Sequence, residues 1–208
     1  LSYLSGCDTR IGFSKKYSKE FNFIFNNVRI AAKDPNVTRI EKNFSLVSFI
    51  DKDYKIPEYF SGILNIGEKD KSVVDGFLQT HNIKKYICVN PAVSKFGEYK
   101  EWREDYFSIL CAALLNKFKD IHIIITWGPG ELEKSERIID GCKNEANIER
   151  LLAAPKTSMK ELAYLISKSK LLITGDTGPM HLAAVLNVSI AALFGPSDPF
   201  INAPFGIN

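Results

Sequence analysis

Residues 171–199 read LLITGDTGPMHLAAVLNVSIAALFGPSDP, and this stretch decides the fold. Leu171 to Thr174 is an apolar run rich in β-branched residues, the pattern of a buried strand. It stops at Gly175-Asp176-Thr177-Gly178-Pro179. A helical stretch from Met180 to Leu186 follows, then a second apolar strand from Ser189 to Phe194, closed by Gly195-Pro196-Ser197-Asp198-Pro199. This is a βαβ unit with its polar groups gathered where the first strand meets the helix. In open α/β sheets ligands bind at such strand ends, and a helix start there offers unpaired N–H groups and a positive dipole end to an anion. Pro179 suits the first helical position, where a missing N–H costs nothing. An ordinary helix capped by Asp176 or Thr177 accounts for the same residues equally well.

Outward from this unit the same grammar repeats. Tyr86 to Val89 is predicted as a strand, Arg103 to Phe118 as a helix, Ile121 to Thr126 as a strand and Glu131 to Gly141 as a charged helix. Ile148 to Leu152 reads as a short strand. Ser158-Met159-Lys160-Glu161 fits a capping box that starts a helix reaching Ser167. Strands alternating with helices at this spacing predict a doubly wound parallel sheet. The strands end in Asn90-Pro91-Ala92, Trp127-Gly128-Pro129-Gly130, Ala154-Pro155-Lys156-Thr157 and Gly175 to Pro179. In a parallel sheet these loops share one edge and can share one ligand. Residues 1 to about 65 are less regular: a short strand at Arg10 to Phe13, a helical pattern within Pro35 to Phe49, and a charged linker from Asp51 to Gly67.

Bulk composition narrows the function. The chain has 208 residues, 45% of them hydrophobic, enough for one or two cores. Its 27 basic and 24 acidic side chains leave a net charge of +3, spread along the sequence, which gives no nucleic-acid footprint. The four cysteines, Cys7, Cys88, Cys111 and Cys142, form no C-x-x-C pair and read as reduced thiols of a cytosolic protein. No apolar run is long enough to span a bilayer. The chain begins at Leu1 and stops without a terminal helix, as a fragment of a longer protein would.

Individual side chains then stand out. Lys100, just before a helix start, is placed to reach a phosphate. Glu131 or Glu133, after a Gly-Pro-Gly turn, offers a carboxylate to a ribose diol or complements a helix dipole. His181 lies one turn into its helix and leans back toward the Asp-Thr-Gly turn. Asp51-Lys52-Asp53 matches the D-x-D pair of metal-dependent sugar transferases only superficially, because it lies in the linker. Neither a Walker A sequence nor a full G-x-G-x-x-G is present. Ser197 lacks a G-x-S-x-G context, which argues against hydrolase chemistry.

These residues together resemble glycosyltransferase family 9, the ADP-heptose:lipopolysaccharide heptosyltransferases. GDTGPMHLAAVLNVSIAALFGPSDP resembles the family's C-terminal signature. ICVNPAVSKFGEYKEW resembles its Asn-Pro loop leading to Lys-x-Trp, TWGPGELE its glycine and glutamate loop, PKTSMKELAYLISKSKLLIT the segment before the Asp-Thr-Gly turn, and LSYLSGCDTRIGF the later part of its N-terminal domain. The resemblance implies a GT-B architecture of two Rossmann-like domains: residues 1–65 the end of the acceptor-side domain with its linker, residues 66–208 a truncated nucleotide-sugar-binding domain. It implies inverting, metal-independent transfer of heptose from ADP-heptose to a lipid-linked lipopolysaccharide inner-core acceptor, without a cofactor. The setting it implies is cytoplasmic, with peripheral association at the inner membrane. By position, Lys100 would hold the donor diphosphate and stabilise the leaving group. Ser94 would add a hydroxyl, Glu131 would meet the ribose with Glu133 as rival, and Thr157 would lie near the adenine. Asp176, Thr177, Gly178 and His181 would line the phosphates and donor sugar. The family's catalytic carboxylate is expected upstream of Leu1, outside the chain. Glu101-Trp102-Arg103 departs from relatives that carry a second basic residue before Trp and Pro after it. Another GT-B nucleotide-sugar enzyme, an epimerase, or a non-catalytic binding module are the competing readings.

Overall fold

The computed structural model describes residues 3–18, 21–31, 37–55, 64–93 and 95–206. Two compact units form, one within residues 1–58 with 200–203, the other within 59–199 with 204–208. In the first, β1 (Ile11–Phe13) pairs in parallel with β2 (Val28–Ile30), Ile11 opposite Val28. Helix α1 (Arg39–Ile50) starts at a reciprocal cap: Thr38 Oγ1 accepts from the Glu41 N–H at 3.2 Å, and the Thr38 N–H donates to Glu41 Oε2 at 2.9 Å. The strand at Arg10–Phe13 is thus present at 11–13. The helix predicted within Pro35–Phe49 begins only at Arg39, and its first two expected residues lie outside the described ones.

The second unit is built from α2 (Glu68–Thr80), β3 (Tyr86–Asn90), α3 (Glu104–Lys117), β4 (His122–Ile125), α4 (Leu132–Asp140), β5 (Leu151–Ala153), α5 (Met159–Lys168), β6 (Leu172–Gly175), α6 (Gly178–Val185) and β7 (Ile190–Leu193). The five strands form one parallel sheet in the order β5-β4-β3-β6-β7. Order reverses between β3 and β6, and helices lie on both faces. Tyr86 and Cys88 pack on one face, in the core with Val74 of α2, Leu165 and Ile166 of α5 and Ala183 of α6. Ile87 and Val89 pack on the other with Phe107, Cys111 and Leu115 of α3 and Ile138 of α4. Both faces are covered, which is why the strands read as unbroken apolar runs. The α/β class expected from the sequence is the observed one.

Some local readings change. The strand expected at Ile148–Leu152 is a 3-10 turn over Ile148–Arg150 followed by β5 at Leu151–Ala153, because the Arg150 side chain turns inward. Its guanidinium donates to the carbonyls of Leu115 (2.8 Å), Phe118 (2.6 Å) and Ile121 (2.8 Å), closing the end of α3 onto the start of β4. Helix α2, which the linker reading stops short of, starts where the Gly67 N–H donates to Asp70 Oδ2 at 3.0 Å. It ends as α6 does. Asn82 (φ 51°) and Asn187 (φ 56°) take the left-handed position after the helix. The next N–H reaches back to close the last turn, Ile83 to the Leu78 carbonyl (2.8 Å) and Val188 to the Ala183 carbonyl (3.0 Å). Ile83 and Val188 are thereby buried in the same core. No helix among the described residues is long and apolar enough to cross a membrane.

Candidate functional site at the carboxyl edge of the sheet

All five parallel strands end on one edge, and the loops that follow them are stitched together there. The innermost stitch is a buried polar cluster at the β3/β6 switch point. Asn90 closes β3 opposite Thr174 of β6. Its side-chain amide donates to the Ala92 carbonyl at 3.0 Å and reaches Thr174 Oγ1 at 3.3 Å and Thr177 Oγ1 at 3.5 Å. Its carbonyl accepts from Thr126 Oγ1, at the end of β4, at 3.1 Å. Thr174 and Thr177 share a hydroxyl bond of 3.0 Å. Asn90, Thr126 and Thr174 are all buried, so these polar groups hold position by satisfying one another.

Above this cluster lie the charged groups. A 3-10 turn over Lys95–Lys100 carries Lys100 to the edge. Trp102, two residues on, packs edge-to-face on the buried Phe107 of α3 at 5.0 Å and pins the loop. Lys100 Nζ donates to Asp176 Oδ2 at 2.7 Å, with side chains 22% and 9% exposed. The two residues are 76 apart in sequence and belong to loops after β3 and β6. The neighbouring Glu101 pairs with Lys134 on α4, and one turn further Glu104 takes a bidentate bond from Arg137, both at 2.8 Å. The Glu101 departure from the family pattern thus has a cationic partner. Gly195, after β7, runs beside the same loop; a Cβ built there would lie 3.9 Å from the Lys100 carbonyl.

The remaining expected residues fall as follows. Glu131 stands at the N-cap position of α4, and its Oε2 accepts the Gly128 N–H at 2.7 Å, folding the carboxylate over the Gly-Pro-Gly turn. This corrects the first-turn placement and leaves Glu131 half-buried at the strand-end loop. Glu133 projects outward, its side chain 89% exposed. Thr157 is half-buried in the loop before α5, beside which Trp127 Nε1 donates to the Ala154 carbonyl at 2.7 Å. Ser158 and Glu161 form the expected capping box. His181 is half-buried on the first turn of α6. Ser94 lies outside the described residues. Helix α6 begins at Gly178, so Pro179 is its second residue, and Thr177 takes the N-cap position without a side-chain capping bond. Its hydroxyl is held by Asn90 and Thr174 instead.

The Asp51 carboxylate accepts the Asp53 N–H at 3.1 Å in a turn. Among the described residues no group of three or more His, Cys, Asp or Glu side chains is close enough to hold a metal ion. The sequence reading gave no role in the site to Asn90, Thr126, Thr174, Glu101 or Lys134. Its available signal was a polar residue closing each of three otherwise apolar strands.

A parallel sheet whose strand order reverses between β3 and β6, with helices on both faces, defines an α/β domain of the doubly wound type. The chain belongs to glycosyltransferase family 9 (heptosyltransferase), whose family model matches residues 1–208. It is 30% identical over 198 residues to lipopolysaccharide heptosyltransferase 1 of Campylobacter coli, covering 92% of this chain and 56% of that protein. Its fold matches the structure of E. coli ADP-heptose lps heptosyltransferase II with TM-score 0.73 at 23% identity, over 96% of this chain and 60% of that one. It also matches E. coli heptosyltransferase WaaC with ADP, TM-score 0.65 at 23% identity, over 94% and 56%. The chain spans about half the length of the curated relatives it matches.

Proposed function

We propose that residues 66–208 form the nucleotide-sugar-binding part of an inverting heptosyltransferase that moves heptose from ADP-heptose to a lipopolysaccharide inner-core acceptor. Residues 1–65 are then the end of its acceptor-side domain. The observation that carries this reading is the Lys100–Asp176 pair, which joins two strand-end loops 76 residues apart at the sheet's ligand-binding edge. The relative from Campylobacter coli is a lipopolysaccharide heptosyltransferase, and the WaaC structure of matching fold contains ADP.

Inverting transfer needs a base on the acceptor hydroxyl and stabilisation of the departing diphosphate. In the proposed roles Lys100 and the amides heading α6 meet the diphosphate charge, which supplies the second requirement from fixed donors. Asp176 orients the Lys100 ammonium and faces the donor sugar together with His181. Thr177 and Gly178 line the phosphates, Ser94 adds a hydroxyl, Glu131 accepts from the ribose and Thr157 lies near the adenine. No base is assigned among the residues of this chain. A lipid-linked acceptor places the reaction at the cytoplasmic face of the inner membrane, with peripheral association.

The test is transfer by the native-length protein from ADP-heptose to a heptose-deficient core acceptor, with calorimetric binding of ADP and UDP to this chain. We expect transfer and preferential binding of ADP. Preference for UDP, or binding without any transfer, would overturn the reading.

A further inference from the structure

Two neighbouring side chains in the loop after β3 find partners on opposite flanks of that strand. Lys100 bonds to Asp176, in the loop after β6. Glu101 pairs with Lys134 of α4, the helix that follows β4. In the strand order β5-β4-β3-β6-β7, β4 and β6 lie on either side of β3. The second pair is mostly withdrawn from solvent, the Lys134 and Glu101 side chains being 20% and 23% exposed. A carboxylate beside Lys100 repels an anionic ligand, so its place there calls for another reason than charge.

The backbone at both ends of this pair is fixed. The Glu101 N–H donates to the Glu98 carbonyl at 3.0 Å, closing the turn that carries Lys100. The Lys134 N–H donates to the Glu131 carbonyl at 3.2 Å in the first turn of α4. The Glu101–Lys134 bond therefore runs from the residue next to Lys100 to the turn that begins at Glu131. A second rung, Glu104 with Arg137 at 2.8 Å, repeats the link one turn further along α3 and α4.

We propose that Glu101 and Lys134 are positioning residues, whose ion pair sets the separation of Lys100 from Glu131 so that one nucleoside diphosphate meets both at once. This role rests on the nucleotide-sugar reading above. Groups already held at their bound separation spare the ligand the cost of ordering them. Each end also has its own anchor, Lys100 in Asp176 and Glu131 in the Gly128 N–H. A ligand that touches one end alone is therefore little affected by the strut.

The test is calorimetric titration of this chain with ADP, adenosine and inorganic pyrophosphate, for the parent, Glu101→Ala, Lys134→Ala and the exchanged pair Glu101→Lys/Lys134→Glu. Both single variants should lower ADP affinity about fivefold relative to that of pyrophosphate, with adenosine changed less than about twofold. The exchanged pair should bring the ADP-to-pyrophosphate ratio back to within about twofold of the parent. Charge acting through space, or a freed Lys134 reaching the phosphates, would instead move ADP and pyrophosphate together, upward in Glu101→Ala and downward in Lys134→Ala. Glu101→Gln and Lys134→Gln, which keep side-chain size, should show the same selective loss and serve if an alanine variant fails to fold. ADP and pyrophosphate moving together, adenosine falling as far as ADP, or no recovery in the exchanged pair would overturn the positioning role alone. A parent chain that binds no ADP would overturn the nucleotide-sugar reading and this role with it.

Discussion

Replacing Lys100 with alanine tests the proposed diphosphate site most directly. The Lys100 side chain is 22% exposed and its ammonium is bonded to Asp176, whose side chain is 9% exposed. Its loss acts twice: it removes the cation offered to the diphosphate, and it leaves an uncompensated carboxylate at the same place. A hydrogen bond to a charged group contributes about 1.5–3 kcal/mol, so ADP affinity should fall roughly 10- to 150-fold. Adenosine carries no charge at that position and should change less than about twofold on the same scale. Removing one partner of a fully buried pair costs about 3–5 kcal/mol; with Lys100 about one-fifth exposed, the fold itself should lose about 1–3 kcal/mol. The discriminating variant is Lys100→Ala/Asp176→Asn, which removes the stranded charge and should recover part of both losses. Calorimetry with the two ligands and urea unfolding of each variant supply the readouts. Equal weakening of ADP and adenosine, or ADP binding unchanged by Lys100→Ala, would refute the reasoning.

Four further outcomes follow from named contacts. Arg150→Met retains the aliphatic stem but strands the carbonyls of Leu115, Phe118 and Ile121; unfolding by urea should show a loss of about 3 kcal/mol, and a loss below about 1 would contradict the clamp. Burial, and secondarily the Arg150 cation, hold the His122 imidazole below its ordinary range. The unfolded chain therefore takes up that proton first, at about pH 6.5. Stability from this group is complete above that pH and is lost as pH falls through the folded value; His122→Gln should flatten the decline in urea midpoint between about pH 7.5 and pH 5. Burial pushes the Cys88 and Cys111 thiols up to about 12 and raises that of Cys142, while Cys7 is exposed; a thiol reagent should label Cys7 in the native chain and the other three only after denaturation. ADP affinity should be unaffected by EDTA, since the proposed diphosphate contacts are a lysine and helix amides; a loss on chelation would show that a metal ion contributes.

Much of the second unit was legible because its strands are buried on both faces. Tyr86–Val89 and Leu171–Ile173 are apolar throughout, and each is followed by a break, so their place in a parallel sheet could be read directly. Lys100 and Asp176 were legible as polar residues in strand-end loops, although nothing local required them to touch. Helix α2 was missed because it opens with Glu68-Lys69-Asp70-Lys71 and carries Gly76, so its buried contacts reduce to Val74 with Phe77 and Leu78 packed alongside. The clearer marks lay at its ends, Gly67 with Asp70 and Asn82 before Ile83. At β5 the error came from Arg150, whose charge gives no hint that three carbonyls await it 29 to 35 residues earlier.

Alone, the order of residues determined the alternation of strand and helix, the edge on which the polar loops lie, and the family. Those properties depend on local periodicity and on spacing along the chain. Tertiary structure decided which of the polar groups meet: Lys100 with Asp176, Glu101 with Lys134, and the Thr177 hydroxyl with Asn90 rather than with its own helix. Such pairings depend on strand order and register, and these are fixed only when distant apolar segments pack into one sheet.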